Sequence, residues 1–287
     1  MTKKSFGTNL KKFRKQKRMS QGALAKLLDV RQTTISNYEN DLRFPNAEIL
    51  NKIAINLNVS LDDLIVKDSK ETLKSLDYQG IRDKFIEKII EHKEIEAKEM
   101  ITNLAKEGYD ILTIFDEILK KSLYTVGDMW ATGKISIPME HHISHIVEEL
   151  IYGLSSYNQI KYDHSKSVLL ITPDNEPHII GLKIVKEYFR RYGWQTILLK
   201  GSVPWQDLIH MIQEKNINLL CISVTMVQNI NQTKALIDFV RESTQAEIMV
   251  GGQLFTDEAL VEVLSPDAFY NTHESLVNFL EKNKEYN

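Results

Sequence analysis

Apolar positions along this chain follow two periods, and the change between them divides it. Up to about residue 157 they recur at helical spacing only. Residues 6–66 read as five short helices, about 7–17, 20–28, 32–40, 46–57 and 60–66. Leu10 and Phe13 face inward on the first, Ala23, Leu24, Leu27 and Leu28 on the second, and Ile35 and Tyr38 on the third. Ser20 is placed to cap the second helix, and Ser60 with Asp62 and Asp63 marks the start of the fifth. Residues 67–80 are polar and charged, as a linker would be. From 81 to 157 the helical period returns, through Phe85, Ile89 and Ile90, then Met100, Ile101 and Leu104, then Ile111 to Leu119, Val126 and Met129, and finally Ile143, Ile146, Val147 and Leu150. Four helices of this length predict a four-helix bundle.

After about residue 166 short apolar runs alternate with helical stretches. Strands are predicted at 167–172, 196–200, 218–225, 246–250 and 268–270, with helices at 180–192, 204–214, 230–242, 257–264 and 273–284. That alternation predicts a parallel sheet covered on both faces, a flavodoxin-like (Rossmann-type) α/β domain. The expected division is therefore 1–66 for a helical head, 67–80 for a linker, 81–160 for a helical cap and 161–287 for the sheet domain. In such a sheet ligands sit at the carboxyl ends of the strands. Three features fall on that rim: Glu176-Pro177-His178-Ile179-Ile180-Gly181 after the first strand, Ser223-Val224-Thr225 at the end of the third, and Gly251-Gly252 at the end of the fourth. A loop histidine with a carboxylate two residues before it is a candidate metal ligand with its partner acid. The rim as a whole would accept a large planar ligand.

Charge separates head from body. Residues 1–66 hold 12 Lys+Arg against 6 Asp+Glu, while the remainder is acidic enough to bring the whole chain to −3. Only the head is expected to meet a polyanion, with Lys11, Lys12, Arg14, Lys15, Lys17 and Arg18 supplying charge. A single cysteine, Cys221, excludes an internal disulfide and fits a reduced cytoplasmic setting. No apolar run approaches the length of a membrane span. His141 and His145 share a helix face at zinc-compatible spacing, but a solvated polar turn is the preferred reading of them.

Helix, tight turn and polar second helix make a helix-turn-helix layout. The stretch from Met19-Ser20-Gln21-Gly22 through Thr34-Ile35-Ser36-Asn37-Tyr38-Glu39-Asn40 resembles the Cro/C1-type (XRE) DNA-binding family over residues 6–66. Asp29 stands at the usual turn glycine and Arg31 at a common Ser/Thr cap; Asp tolerates the left-handed conformation the turn needs. The resemblance implies that Gln32, Thr33, Ser36 and Asn37 face base edges of double-stranded operator DNA, while Gln21, Asn40 and Arg43 contact phosphate. It also implies a homodimer or homotetramer.

Residues 81–287 resemble the cobalamin-binding family, whose pattern Asp-x-His-x-x-Gly, Ser-x-Leu, Gly-Gly is met by Glu176, His178, Gly181, Ser223, Thr225 and Gly251-Gly252. Glu176 replaces Asp and Thr225 replaces Leu. The resemblance implies that His178 binds cobalt, that Glu176 fixes its tautomer, and that the cofactor's nucleotide tail runs past Ser223 and Gly251-Gly252. Trp130, nine residues, then Glu140-His141 is similar to the signature of adenosylcobalamin-dependent photoreceptor regulators, in which those residues lie beside the adenosyl group. In those proteins a histidine usually follows the tryptophan; here the position is Ala131. The expectation is a cobalamin-binding transcription repressor, not an enzyme, sensing light through adenosylcobalamin. A light-independent sensor of another cobalamin form or of heme is the alternative. A corrinoid methyl carrier is disfavoured, because base-reading residues would serve no purpose in it.

Overall fold

The computed structural model describes residues 6–17, 19–57, 59, 61, 64, 76–159, 166–256 and 258–283. The chain forms two compact units, Met1–Leu76 and Asp77–Asn287.

In the first unit α1 (Phe6–Gln16), α2 (Gln21–Leu27), α3 (Gln32–Glu39) and α4 (Ala47–Leu57) enclose Leu10, Leu24, Leu28, Ile35, Ile53 and Leu57. The Ser20 hydroxyl caps α2 by accepting from Ala23 N at 3.0 Å. Asp29 has φ 55°, so the turn into α3 takes the left-handed form expected of it. The inner face of α2 differs from the pattern. Ala25 is buried in place of Ala23, and Leu27 is 51% exposed. A helix of two turns offers a neighbour only a narrow stripe, here Leu24, Ala25 and Leu28, and Leu27 falls on its flank. Helices α1 and α3 cross closely: a Cβ on Gly7 would stand 2.5 Å from the Tyr38 carbonyl oxygen. Arg14, counted above with the surface charge, is buried there. Its guanidinium donates to Glu39 Oε1 at 2.5 Å, Glu39 Oε2 at 3.0 Å and the Met19 carbonyl at 2.6 Å. Arg18, Ser60, Asp62 and Asp63, and with them most of the fifth predicted helix, lie outside the described residues, although Leu64 is buried in this core.

The second unit begins with α5 (Tyr78–Ile90), three residues before the linker was expected to end, because the Asp77 side chain caps it by accepting from Gly80 N at 2.9 Å. Residues 67–75 of that linker lie outside the described residues. Next come α6 (Glu94–Lys106), the short α7 (Ile111–Thr113), a π-helical stretch Ile114–Lys120, α8 (Lys121–Ala131) and α9 (Ile137–Leu154). Phe85, Ile101, Phe115, Ile118, Val126, Ile143 and Val147 form their shared core.

The sheet follows: β1 (Ser167–Ile171), α10 (Ile180–Arg191), β2 (Gln195–Leu198), α11 (Trp205–Glu214), β3 (Leu219–Ser223), α12 (Ile230–Ser243), β4 (Glu247–Gly251), α13 (Glu258–Leu264), β5 (Ala268–Tyr270) and α14 (His273–Lys282). All pairings are parallel, in the order β2-β1-β3-β4-β5. Leu170, Cys221 and Met249 pack on one face with Leu182 and Phe189 of α10 and Leu276 of α14. Leu169, Leu220 and Ile248 pack on the other with Leu208, Leu236 and Leu264. The helical region rests on α10 through a polar seam. The Tyr188 hydroxyl donates to buried Asp116 of the π-helical stretch, and Arg191 reaches Asp110 at 2.9 Å and Asn158 at 2.6 Å.

Candidate functional site

Chain order reverses between β1 and β3, and the loops leaving these two strands open a crevice there. The β1 loop carries Glu176 and His178; the β3 loop carries Thr225 and Met226. The Glu176 side chain is fully buried. Its Oε2 accepts from Thr225 N and Met226 N, both at 2.9 Å, and from Asn229 Nδ2 at 3.1 Å. Its Oε1 lies 2.5 Å from His178 Nδ1. Burial by itself would raise this carboxyl, but the hydrogen bonds from His178, Thr225, Met226 and Asn229 outweigh it and hold Glu176 below the usual carboxylate range. In the neutral ring, an acceptor at Nδ1 selects the tautomer with the proton on Nδ1 and the lone pair on Nε2. The His178 side chain is 55% exposed, so that lone pair is available to a ligand. Gly181, on the first turn of α10, faces open space.

Ser223, Gly251 and Gly252 lie farther along the rim, next to one another. Protein atoms occupy the space beside both glycines. A Cβ on Gly252, whose φ is 121°, would stand 2.2 Å from the Val224 carbonyl oxygen. One on Gly251 would lie 2.0 Å from the ring of Tyr270. In the helical region Trp130, at the end of α8, is 49% exposed. Glu140 Oε2 lies 2.5 Å from His141 Nδ1, and its Oε1 accepts from Ser144 Oγ at 2.8 Å. Among the described residues no hydrogen bond or ion pair joins Glu140 or His141 to Glu176 or His178. Nor, among those residues, does any group of three His, Cys, Asp or Glu side chains gather as a metal cluster would; His145 pairs with Glu149 at 3.5 Å.

In the first unit Gln32, Thr33, Asn37, Asn40 and Arg43 are exposed and Ser36 is partly so, all on or just after α3. Gln21 is committed within the fold: its Nε2 donates to Glu39 Oε2 at 2.8 Å. Of the residues expected at phosphate, Asn40 and Arg43 are the exposed ones.

Known proteins match this architecture part by part. Residues 10–64 match the helix-turn-helix family model, and residues 81–154 and 166–271 match two B12 binding domain models. The chain is a helix-turn-helix domain fused to a cobalamin-binding domain. The HTH-type transcriptional repressor CarH of Myxococcus xanthus is 32% identical over 97 residues, 34% of this chain and 32% of that one, so the match spans about a third of that relative. The dimethylamine corrinoid protein of Methanosarcina barkeri is 22% identical over 177 residues, 59% of this chain and 81% of the relative. The monomethylamine corrinoid protein of the same organism has the same fold over 71% of this chain and 99% of its own, with a TM-score of 0.61 at 20% identity. No described helix is long and apolar enough to cross a membrane.

The donor set of the cobalamin-binding domain suits a cobalt ion: one imidazole with a free, exposed nitrogen, backed by an ionised carboxylate. Sequence reasoning missed Met226 and Asn229, which anchor that carboxylate, because the contact joins residues 50 and 53 positions away from it. It also missed Tyr270, which no motif marks.

Proposed function

We propose that this chain is a cytoplasmic transcription repressor that binds operator DNA through the helix-turn-helix domain and holds adenosylcobalamin in residues 81–287, sensing light through it without being an enzyme. The observation that carries the cofactor assignment is the relay from Thr225 N, Met226 N and Asn229 through Glu176 to His178. Those bonds fix the carboxylate, the carboxylate orients the ring, and Nε2 is left to bind cobalt. Bound adenosylcobalamin supplies a photolabile cobalt–carbon bond. The helices of residues 81–160 act as a four-helix-bundle cap on the sheet domain. Half-exposed Trp130 offers an aromatic face to the adenosyl group, and Glu140 with His141 offers it a polar edge. With Ala131 after Trp130, that position has no imidazole to take cobalt after illumination. In the head, Gln32, Thr33, Ser36 and Asn37 read base edges while Asn40 and Arg43 set register on phosphate. The Glu39 contact of Gln21 braces α2 against α3, which makes its role at phosphate indirect.

The test is an absorption spectrum of the purified protein with adenosylcobalamin in the dark, repeated after green light. The expected result is a retained base-off spectrum that changes irreversibly on illumination and is lost in His178→Ala. Failure to retain the cofactor overturns the cobalamin assignment. A retained spectrum that light leaves unchanged overturns light sensing alone.

A further inference from the structure

Four residues of α3, Gln32, Thr33, Ser36 and Asn37, were expected at base edges. Among the described residues, Ser36 is the one of these four whose side chain meets a hydrogen-bond partner: Asn40 Nδ2 donates to its Oγ at 3.4 Å. The backbone holds the two together. Asn40 N donates to the Ser36 carbonyl at 3.0 Å, which sets their side chains one turn apart on the same helix face. The turn that follows is fastened on both sides. Leu42 N donates to the Asn37 carbonyl at 2.9 Å, and Asp41, in the left-handed region at φ 56°, accepts from Gly7 N of α1 at 2.8 Å through Oδ1. Ser36 is partly exposed and Asn40 exposed. Among the described residues no protein group accepts the hydrogen of the Ser36 hydroxyl.

A hydroxyl can donate or accept, so a serine alone sorts base edges poorly. Phosphate oxygens only accept. An Asn40 seated on phosphate therefore presents its amide nitrogen there, and Nδ2 keeps a second hydrogen for Ser36 Oγ. We propose that Asn40 is a positioning residue for base reading: by donating to Ser36 it makes that hydroxyl a donor toward DNA, so the base facing Ser36 must offer an acceptor in the major groove. Guanine does so with N7 and O6, adenine with N7 and thymine with O4, whereas cytosine presents the N4 donor and is disfavoured. This inference rests on the proposed placement of Ser36 at bases and Asn40 at phosphate, and it is independent of the cofactor.

The experiment is selection of binding sites from a pool of random duplex DNA by the full chain, in the dark, with and without adenosylcobalamin. Wild type, Ser36→Ala, Asn40→Ala and Asn40→Asp are compared by their base frequencies at each position of the selected half-site. The wild type is expected to disfavour cytosine about 3- to 10-fold at one position, and Ser36→Ala to lose that bias there and nowhere else. Asn40→Ala frees the hydroxyl to turn either way. It is expected to weaken binding to all sequences and to bring cytosine within about twofold of the other bases at that position. Asn40→Asp has the same size but takes up the hydroxyl's hydrogen, which leaves Ser36 as an acceptor. It is expected to favour cytosine there, a reversal that a loss of phosphate contact or of helix stability would not produce, and it serves if the alanine variant does not fold. A Ser36→Ala profile identical to wild type overturns the placement of Ser36 at a base. A profile that changes in Ser36→Ala but in neither Asn40 variant overturns the role of Asn40 alone. A wild type that enriches no site in either state overturns the operator-binding reading and this inference with it.

Discussion

Glu176 does two things at once, and they can be measured separately. It orients His178, and it ties the β1 loop to the β3 loop. Glu176→Gln keeps the shape and removes the charge. Corrinoid retention is expected to weaken by about 10- to 100-fold, the usual cost of losing the partner of a metal-binding histidine. Binding within twofold of wild type would mean that the carboxylate is only a loop staple. The staple has its own signature in acid. Because the folded carboxyl is held below its ordinary value, its contribution to stability is fully present above the ordinary carboxylate range and is lost as pH falls through the lowered value. Urea unfolding at stepped pH should show this decline in the wild type and a smaller one in Glu176→Gln. The sequence made Glu176 and His178 legible because they sit two residues apart on one loop. It left Tyr270 illegible because the meaning of that residue comes from β4, where the register sets its ring over a glycine nineteen positions earlier.

At the scale of elements the strands and helices of the sheet domain were legible in order and place: the predicted 268–270 strand is β5 and the predicted 180–192 helix is α10 with one residue fewer, whereas the predicted 218–225 and 196–200 strands stop earlier, at Ser223 and Leu198. Local period carries that information, because burial on a sheet face or helix stripe repeats in sequence. Partners across elements do not repeat in this way. Arg14 lies in a run of basic residues, yet it is buried against Glu39, with side-chain exposures of 8% and 1%. Together with Gln21 and the Met19 carbonyl, the pair locks α1, the start of α2 and the end of α3. Hydrogen bonding to Arg14 and Gln21 keeps the Glu39 carboxyl lowered in spite of its burial, the largest opposing influence. Removing one member of such a pair strands the other, at about 3–5 kcal/mol. Glu39→Ala should therefore destabilise the helix-turn-helix transition in urea by about that amount. It should abolish operator binding even though no base-facing residue is touched. A change under about 1 kcal/mol would show the pair to be dispensable.

For the molecule as a whole, the basic head and acidic body would, on the proposed function, divide two kinds of work, contact with DNA and retention of a cofactor. One helix-turn-helix head reads one half-site, so stable operator binding calls for two heads about one helical turn of DNA apart. Light scattering of the holoprotein in the dark is expected to give a dimer or tetramer; a monomer both with and without adenosylcobalamin would overturn this. The π-helical stretch Ile114–Lys120 bears on where Trp130 points in the proposed cap. It lies within the continuous run from Ile111 to Ala131, whose penultimate residue is Trp130. A wide turn of this kind behaves as a residue inserted into an ordinary helix, and each residue of an α-helix advances the azimuth by about 100°. The irregularity therefore works as a dial: deleting one residue within it would let the helix wind regularly and swing the indole about a quarter-turn around the axis, while disturbing the seam in which Asp116 meets Tyr188 of α10.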